Sequence, residues 1–508
     1  MKPIKGKIIR LSILAGILVG NAVFLIWNMR RSFNLLDMGS FIDASWRVFC
    51  GQRLYQDFIY HSGPVYVYLN VLFARLFGFG QVALGAHLIA AHSIVIGLIF
   101  FLLWKRLPFY QTLLVTLLTA TSFYWSTSFP WHDQTTHIWG IAAIFILLHP
   151  RFFLTAKRAF MAAFLCGILA GLAGLTKINI GLPYALVITA LLLTYNDRWR
   201  ILTGYIFGVA CLLAGIWMVL GGLEYYWQQR WIVAGVLGQD RMPRFFKLKS
   251  WLVNDYWLPL FVVLINVNSL RFLSRLKRPL IGLAGLTMLG IISVNTGGIL
   301  REANTSLWGI LMALAFLTFA EAETIPGWPR RRRLYIISRF VLIAFAIVML
   351  FVSTIDGVNL RVWSYVKWDH IGDYTLKSEP FKGWKCYHSL GKPMDDLTNF
   401  INTRVPQDES LLNLTDMYII YTLTGRESYP HVPVAFMPGY YPAPGEQLHQ
   451  VQEYIYQNPP MWVIVDLGML FTEEDYLLGM RVFIKKFYTP VFRSGTFVLM
   501  RRTGLFHE

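Results

Sequence analysis

The chain has 508 residues, of which 56% are hydrophobic, 16% aromatic and only 15% charged, with a formal net charge of +18. This composition excludes an ordinary soluble protein and indicates a polytopic membrane protein with a minor soluble part. The basic residues lie in short clusters between apolar stretches and form neither a stripe nor a tail, so nucleic-acid binding is not expected. The four cysteines set no disulfide framework, although a disulfide between Cys50 and Cys386 stays open.

The basic clusters between the apolar stretches define a topology. Lysines and an arginine before the first stretch favour a cytoplasmic N-terminus, and if the later clusters are also cytoplasmic, the intervening stretches must come in pairs. They do, which predicts about eleven transmembrane helices in the inner (plasma) membrane and a C-terminus outside. The predicted spans are residues 9–27, 83–104, 108–127, 134–149, 159–176, 179–195, 200–220, 252–270, 279–296, 304–320 and 334–354.

One apolar stretch, Val65 to Phe77, is too short for a span and carries Asn70 and Arg75. Counting it as a span would invert the position of every later basic cluster, so it is predicted to be an interfacial helix on the outer surface. The first outer loop then covers residues 28–82, and a second large outer loop covers residues 221–250.

The chain becomes polar after about residue 355 and stays so to its C-terminus. Residues 1–355 are predicted to form a transmembrane module, and residues 356–508 a small extracytoplasmic α/β domain. Within the latter, Ser410–Leu414 and Met461–Asp466 have the pattern of short buried strands, and Met394–Arg404 and Gln447–Gln457 that of helices.

Polar residues that are unusual in such a chain converge on the predicted outer face. Charge at this depth is costly unless it is paired or used, so a functional site is expected there. Carboxylates can serve as a general base or bind a metal, and cations can hold a phosphate, which suits a substrate with a lipid tail and an anionic head. The candidates are Asp37, Asp57 and His61 in the first outer loop, His132 and Asp133 beside the third span, Lys177 between the fifth and sixth spans, Arg241 and Arg244 in the second outer loop, and Arg301 between the ninth and tenth spans.

Several candidates also have a structural explanation. Asp37 could cap the helix that follows it, and Asp57 could anchor a turn. Lys177 could extend towards the lipid headgroups, and Arg301 could pair with its neighbour Glu302. Asp43 lies four residues before Arg47, a spacing that favours a structural ion pair on one helix.

Several motifs resemble a known family. They are the stretch Gly51–Phe58 (GQRLYQDF), the helix beginning at Gly63-Pro64, Leu76-Phe77-Gly78, Asp133, the stretch Gly174–Pro183 (GLTKINIGLP), and the stretch Ile420–Arg426 in the tail. Together they resemble the GT-C class of glycosyltransferases that use polyprenyl-phosphate sugars, a group that includes protein O-mannosyltransferases and lipid A aminoarabinose transferases. The layout is similar over nearly the whole chain, and most motifs lie in the first 185 residues.

The resemblance implies a GT-C-like fold and transfer of a sugar, with inversion, from a polyprenyl-phosphate donor to a lipid, glycan or protein acceptor. Asp37 matches the general base, and Asp133 is the second catalytic candidate. Asp57, His61, Lys177, Arg241, Arg244 and Arg301 are the candidate substrate-binding residues. Many relatives carry Asp-Glu where this chain has Asp37-Met38, so no cofactor is implied firmly and a divalent metal stays open.

Two other classes of function compete with the enzyme. A transporter or flippase of a lipid-linked saccharide should have ionisable residues near the middle of its spans, whereas here polarity gathers at one face. A non-catalytic scaffold would use the tail as a binding module. The sequence therefore favours a membrane glycosyltransferase.

Overall fold

The structure is a computed structural model. It describes residues 2–31, 33, 37–60, 62–125, 128–222, 278–279, 281–287, 289, 306–323, 332–359, 372–415, 417–432, 445–467 and 480–503. Nine of the eleven predicted spans coincide with helices in these ranges. The predicted span 252–270 lies outside the described residues, as does half of the predicted span 279–296.

The helices before the second loop follow the apolar stretches closely. The Pro64–Phe77 helix has proline at its first position, where the missing N–H costs no hydrogen bond. The helices are α1 (Lys2–Met29), α2 (Asp37–Phe49), α3 (Pro64–Phe77), α4 (Gln81–Leu103), α5 (Phe109–Ser122), α6 (His132–Leu148), α7 (Ala156–Thr176), α8 (Ile178–Leu192), α9 (Arg198–Leu220), α10 (Trp308–Glu323) and α11 (Arg332–Asn359).

Five of the described helices are long and apolar enough to cross a membrane: α1, α4, α7, α9 and α11. Helices α3, α8 and α10 are apolar but shorter. These helices have 14 to 16 residues and are about 21 to 24 Å long, which is less than the thickness of a bilayer core. The total of eleven spans and the interfacial position of α3 therefore stay predictions.

The C-terminal part contains a small mixed sheet with helices between its strands. Leu411–Leu414 pairs in parallel with Trp462–Asp466, which pairs antiparallel with Phe497–Arg502 on its other side. Tyr488–Ser494 is the outer strand, antiparallel to Phe497–Arg502. The two predicted strands and two predicted helices are present. The elements are β1 (Tyr374–Thr375), β2 (Lys385–Cys386), α12 (His388–Arg404), β3 (Leu411–Leu414), α13 (Ile420–Thr424), α14 (Gly445–Gln457), β4 (Trp462–Asp466), α15 (Arg481–Phe487), β5 (Tyr488–Ser494) and β6 (Phe497–Arg502).

The chain divides into two compact units. The first consists of Met1–Asn28, Gly85–Met218 and Arg241–Asp369. The second consists of Met29–Leu84, Val219–Asp240 and His370–Glu508, so it contains both the loop that precedes α4 and the C-terminal sheet. Each unit carries some of the candidate residues.

Candidate functional site

In the first unit, Lys177 lies at a break between two helices. It follows α7 and precedes α8, and its backbone is extended, with φ −152° and ψ 108°. The break is tight because Gly181 lies against the end of α7, where a Cβ atom would come within 2.3 Å of the carbonyl carbon of Ala173. This explains the glycine at that position of the GLTKINIGLP stretch.

The Lys177 ammonium forms a buried ion pair with the carboxylate of Asp133 in the first turn of α6. Lys177 Nζ donates to Asp133 Oδ1, and the two side chains are 13% and 7% exposed. His132 Nε2 lies 2.9 Å from the same oxygen. The negative charge also lies at the N-terminus of α6, where the helix dipole favours it.

The charges of this cluster constrain its chemistry. Lys177 and Asp133 compensate each other, so the pair is neutral and His132 decides whether the cluster is neutral or positive. A buried pair of this kind is disrupted at high cost when one partner is removed. A phosphate bound by Lys177 would therefore share the ammonium with Asp133, and Asp133 would hold and orient the cation.

In the second unit, Asp37 is the first residue of α2. The structure describes its backbone and not its side chain, so its role as general base stays a prediction. Gly39, one residue beyond Met38, faces the tail: a Cβ atom there would lie 3.5 Å from the Tyr418 side chain. The helix that begins at Asp37 is thus packed against the segment before α13.

Asp43 and Arg47 form the predicted ion pair on α2, and the pair is buried. Arg47 Nε donates to Asp43 Oδ2 at 2.8 Å, and both side chains are 2% exposed. The tail completes the pair, because Ser428 Oγ donates to Asp43 Oδ1 at 2.9 Å and Arg47 Nη1 donates to the carbonyl oxygen of Tyr429 at 2.8 Å. These contacts hold α2 to residues 428–429.

The carboxylate of Asp57 is engaged within its own turn. It accepts hydrogen bonds from the Arg53 backbone N–H at 2.7 Å and from the Arg53 guanidinium at 3.2 Å. Partial burial acts to raise its pKa, but the hydrogen bonds from Arg53 outweigh this and hold the pKa below its ordinary value. Asp57 is therefore an ionised turn anchor in this structure, and its contact with substrate stays a prediction.

Four predicted substrate-binding residues lie outside the described part of the chain: His61, Arg241, Arg244 and Arg301. Among the described residues, no group of three or more His, Cys, Asp or Glu side chains could hold a metal ion. Cys50 and Cys386 are both free thiols, so no disulfide joins them.

Sequence reasoning missed a group of polar residues beyond Asp133. Gln134 and His137 are buried on α6, and His137 Nδ1 lies 3.0 Å from the hydroxyl of Tyr184 on α8. The sequence feature that could have indicated them is the run His132-Asp-Gln-Thr-Thr-His137. Its polar residues cover the first turns of a helix that was predicted to be a mostly apolar span.

The described part of the chain combines apolar helices, a polar first loop and a C-terminal sheet. Two crystal structures of ArnT from Cupriavidus metallidurans, one bound to undecaprenyl phosphate and one in the apo state, have this fold. Each matches with a TM-score of 0.53 and 13% sequence identity over 98% of this chain and 98% of that chain. The predicted resemblance to the group of lipid A aminoarabinose transferases is thus confirmed in fold. No protein-family model and no curated protein matches the chain.

Proposed function

We propose that this protein is a membrane glycosyltransferase that moves a sugar from a polyprenyl-phosphate donor to an acceptor hydroxyl on the outer face of the membrane. The observation that carries the proposal is the end-to-end likeness of fold to ArnT, one of whose structures is bound to undecaprenyl phosphate. The buried Asp133–Lys177 pair adds a cation of the kind that binds a lipid phosphate.

In the proposed reaction, Asp37 takes the proton of the acceptor hydroxyl. The hydroxyl oxygen then attacks the anomeric carbon of the sugar. The bond from that carbon to the phosphate oxygen breaks, the electron pair leaves with the phosphate, and the anomeric configuration inverts. A lipid phosphate is a good leaving group, so preorganised cations suffice to stabilise the charge that develops on it. Lys177 is held for this role by Asp133, with Arg241, Arg244 and Arg301 as further candidates and Asp57 and His61 as candidate contacts to substrate.

The test of the proposed function is turnover by the purified protein in lipid nanodiscs. The donors are undecaprenyl-phosphate sugars that carry a hexose or a pentose, and the membrane fraction of the source cell supplies the acceptor. Release of free undecaprenyl phosphate together with transfer of radiolabelled sugar supports the glycosyltransferase. Movement of the intact donor across a sealed vesicle bilayer, with no release of lipid phosphate, would instead establish the transporter or flippase.

Replacing Lys177 is expected to weaken donor binding. Each hydrogen bond to a charged group contributes about 1.5–3 kcal/mol, so Lys177→Ala should raise the apparent Kd for undecaprenyl phosphate about tenfold to a hundredfold. Lys177→Arg keeps the charge and should lose less. Arg301→Ala should have a similar effect if Arg301 lies in the same pocket. The measurement is lipid titration followed by native mass spectrometry.

Two controls separate phosphate binding from loss of the buried pair. Arg501→Ala removes a cation whose side chain is 52% exposed in the tail, and it should leave the Kd unchanged. Asp133→Asn breaks the same pair but retains the ammonium, so the Kd should rise less than in Lys177→Ala. Equal Kd values for Lys177→Ala and Arg501→Ala would place the phosphate pocket elsewhere.

The proposed topology predicts opposite labelling for two exposed positions. Lys105→Cys should react with an impermeant maleimide only from the cytoplasmic side, and Arg501→Cys only from the outer side, in a variant whose four native cysteines are replaced. Labelling of Lys105→Cys from outside would overturn both the interfacial position of α3 and the shared outer face of the candidate residues.

A further inference from the structure

The first turns of α6 contain buried polar atoms that no group of the described protein satisfies. Gln134 is 1% exposed, and neither its amide oxygen nor its amide nitrogen has a hydrogen-bond partner among the described residues. The Nε2 atom of His137, a residue that is fully buried, also lacks a partner there. Leaving such an atom unsatisfied costs about 1–3 kcal/mol, so three in one place point to a partner outside the described residues, and a bound ligand is one such partner.

These atoms lie on the same side of α6 as Asp133. Successive residues of an α-helix are about 100° apart, so Asp133, His137 and Gln134 fall in that angular order within an arc of about 100°. His137 and Gln134 are three positions apart, which places their Cβ atoms about 5–6 Å from each other. The polar arc therefore continues from the Asp133–Lys177 pair one turn further along the helix.

Tyr184 fixes the imidazole of His137. Its hydroxyl lies 3.0 Å from His137 Nδ1, and its ring lies directly over Gly140, where a Cβ atom would come within 2.2 Å of the ring. The absence of a side chain at Gly140 is thus what allows Tyr184 to reach His137. With Nδ1 occupied by the hydroxyl, Nε2 is left to donate or to accept according to the tautomer of the ring.

The chemistry of this arc suits a neutral, hydroxyl-rich ligand. An amide offers two donors and an acceptor, and a hydroxyl can donate and accept, so Gln134 and His137 match sugar hydroxyls. A phosphate, by contrast, is better matched by the ammonium of Lys177. We propose that Gln134 and His137, the latter positioned by Tyr184, form a subsite that binds the sugar of the lipid-linked donor while its phosphate lies at Lys177. This inference rests on the proposed function and assigns the sugar contacts within it.

The test compares two lipids in the same variants. The probes are undecaprenyl phosphate without a sugar and undecaprenyl-phosphate sugars that carry mannose, glucose or aminoarabinose. The parent protein should bind at least one sugar lipid more tightly than the sugar-free lipid. A neutral hydrogen bond contributes about 0.5–1.5 kcal/mol, so Gln134→Leu and His137→Phe should each reduce this preference about twofold to tenfold. Affinity for undecaprenyl phosphate itself should not change.

Gln134→Leu also distinguishes a ligand site from a structural role. Because the amide has no partner in the described protein, an apolar side chain of similar size should leave thermal stability without lipid unchanged or higher. Trp139→Phe is the matched control. The indole Nε1 of Trp139 is likewise buried without a partner among the described residues, but it lies on the opposite side of α6, so the sugar preference should be unaffected.

Three results would count against the subsite, and they are distinguishable. If Gln134→Leu and His137→Phe keep the full sugar preference, the sugar binds elsewhere and ordered water satisfies the arc. If the parent turns over a sugar lipid yet binds it no more tightly than undecaprenyl phosphate, the subsite is overturned and the proposed function survives. If the parent binds and turns over none of these lipids, the proposed function fails and the subsite with it.

Discussion

Asp37→Asn is expected to abolish sugar transfer while the protein still folds and binds its donor. Loss of a general base costs on the order of a hundredfold or more in rate. Asparagine keeps the size of the side chain and remains a good residue for the start of a helix, so a purely capping role for Asp37 predicts almost no effect. The measurement is single-turnover transfer from a saturating undecaprenyl-phosphate sugar, with the Kd for undecaprenyl phosphate determined in parallel.

Asp197→Asn is the matched control for this experiment. Asp197 is an exposed carboxylate immediately before α9. Its replacement by asparagine makes the same chemical change at another helix start and should leave the rate unchanged. Near-normal turnover in Asp37→Asn would make Asp37 structural. Asp133 and Asp57 would then be the next carboxylates to replace, although both are engaged by cations in this structure.

The second large effect is expected at Arg47, on stability. Arg47→Met leaves the Asp43 carboxylate buried without its cation and removes the hydrogen bond to the carbonyl oxygen of Tyr429. Breaking a buried ion pair in this way costs about 3–5 kcal/mol. The free energy of unfolding should fall by this amount in a denaturant titration of the detergent-solubilised protein. Because the pair holds α2 to the tail, transfer activity should fall with the folded fraction.

The chain offers a matched control one turn beyond α2. Arg53 pairs with Asp57 at the same spacing of four residues, but its side chain is 71% exposed. Arg53→Met should therefore cost no more than about 1 kcal/mol. The double variant Asp43→Leu/Arg47→Met should recover much of the loss, since no unpaired charge stays buried. Equal losses in Arg47→Met and Arg53→Met would show that burial does not set the contribution of the Asp43–Arg47 pair.

Local patterns in the sequence determined which segments form helices and strands. Long apolar stretches predicted α4, α7 and α9 within a few residues, because a helix in lipid must satisfy its own backbone and bury no charge. Short apolar runs predicted β3 and β4, because a strand that is buried in a sheet is short and apolar on both faces. Spacing alone predicted the Asp43–Arg47 pair, since residues four apart are neighbours on a helix surface.

The ends of the spans were less predictable. The apolar stretch 108–127 predicted a helix that continues past Ser122, whereas α5 ends there. The hydroxyls of this region are one physical reason, because Ser and Thr side chains compete for backbone hydrogen bonds and weaken the preference for helix. Hydrophobicity averaged over a stretch of residues does not register such local competition. It therefore predicts the presence of a transmembrane helix better than the residue at which the helix ends.

Only the tertiary structure decided which distant residues meet. Asp133 and Lys177 are 44 residues apart, and Ser428 reaches Asp43 across 385 residues of chain. No periodicity reports such contacts, because they depend on how α6 packs against the break between α7 and α8 and on how the tail folds over α2. The sequence by itself thus determined that carboxylates and cations would be concentrated in a few loops and helix ends. The packing decided that Lys177 is held by Asp133 and that Arg47 is buried. It also decided that the side-chain amide of Gln134, on the same side of α6 as Asp133, has no hydrogen-bond partner among the described residues.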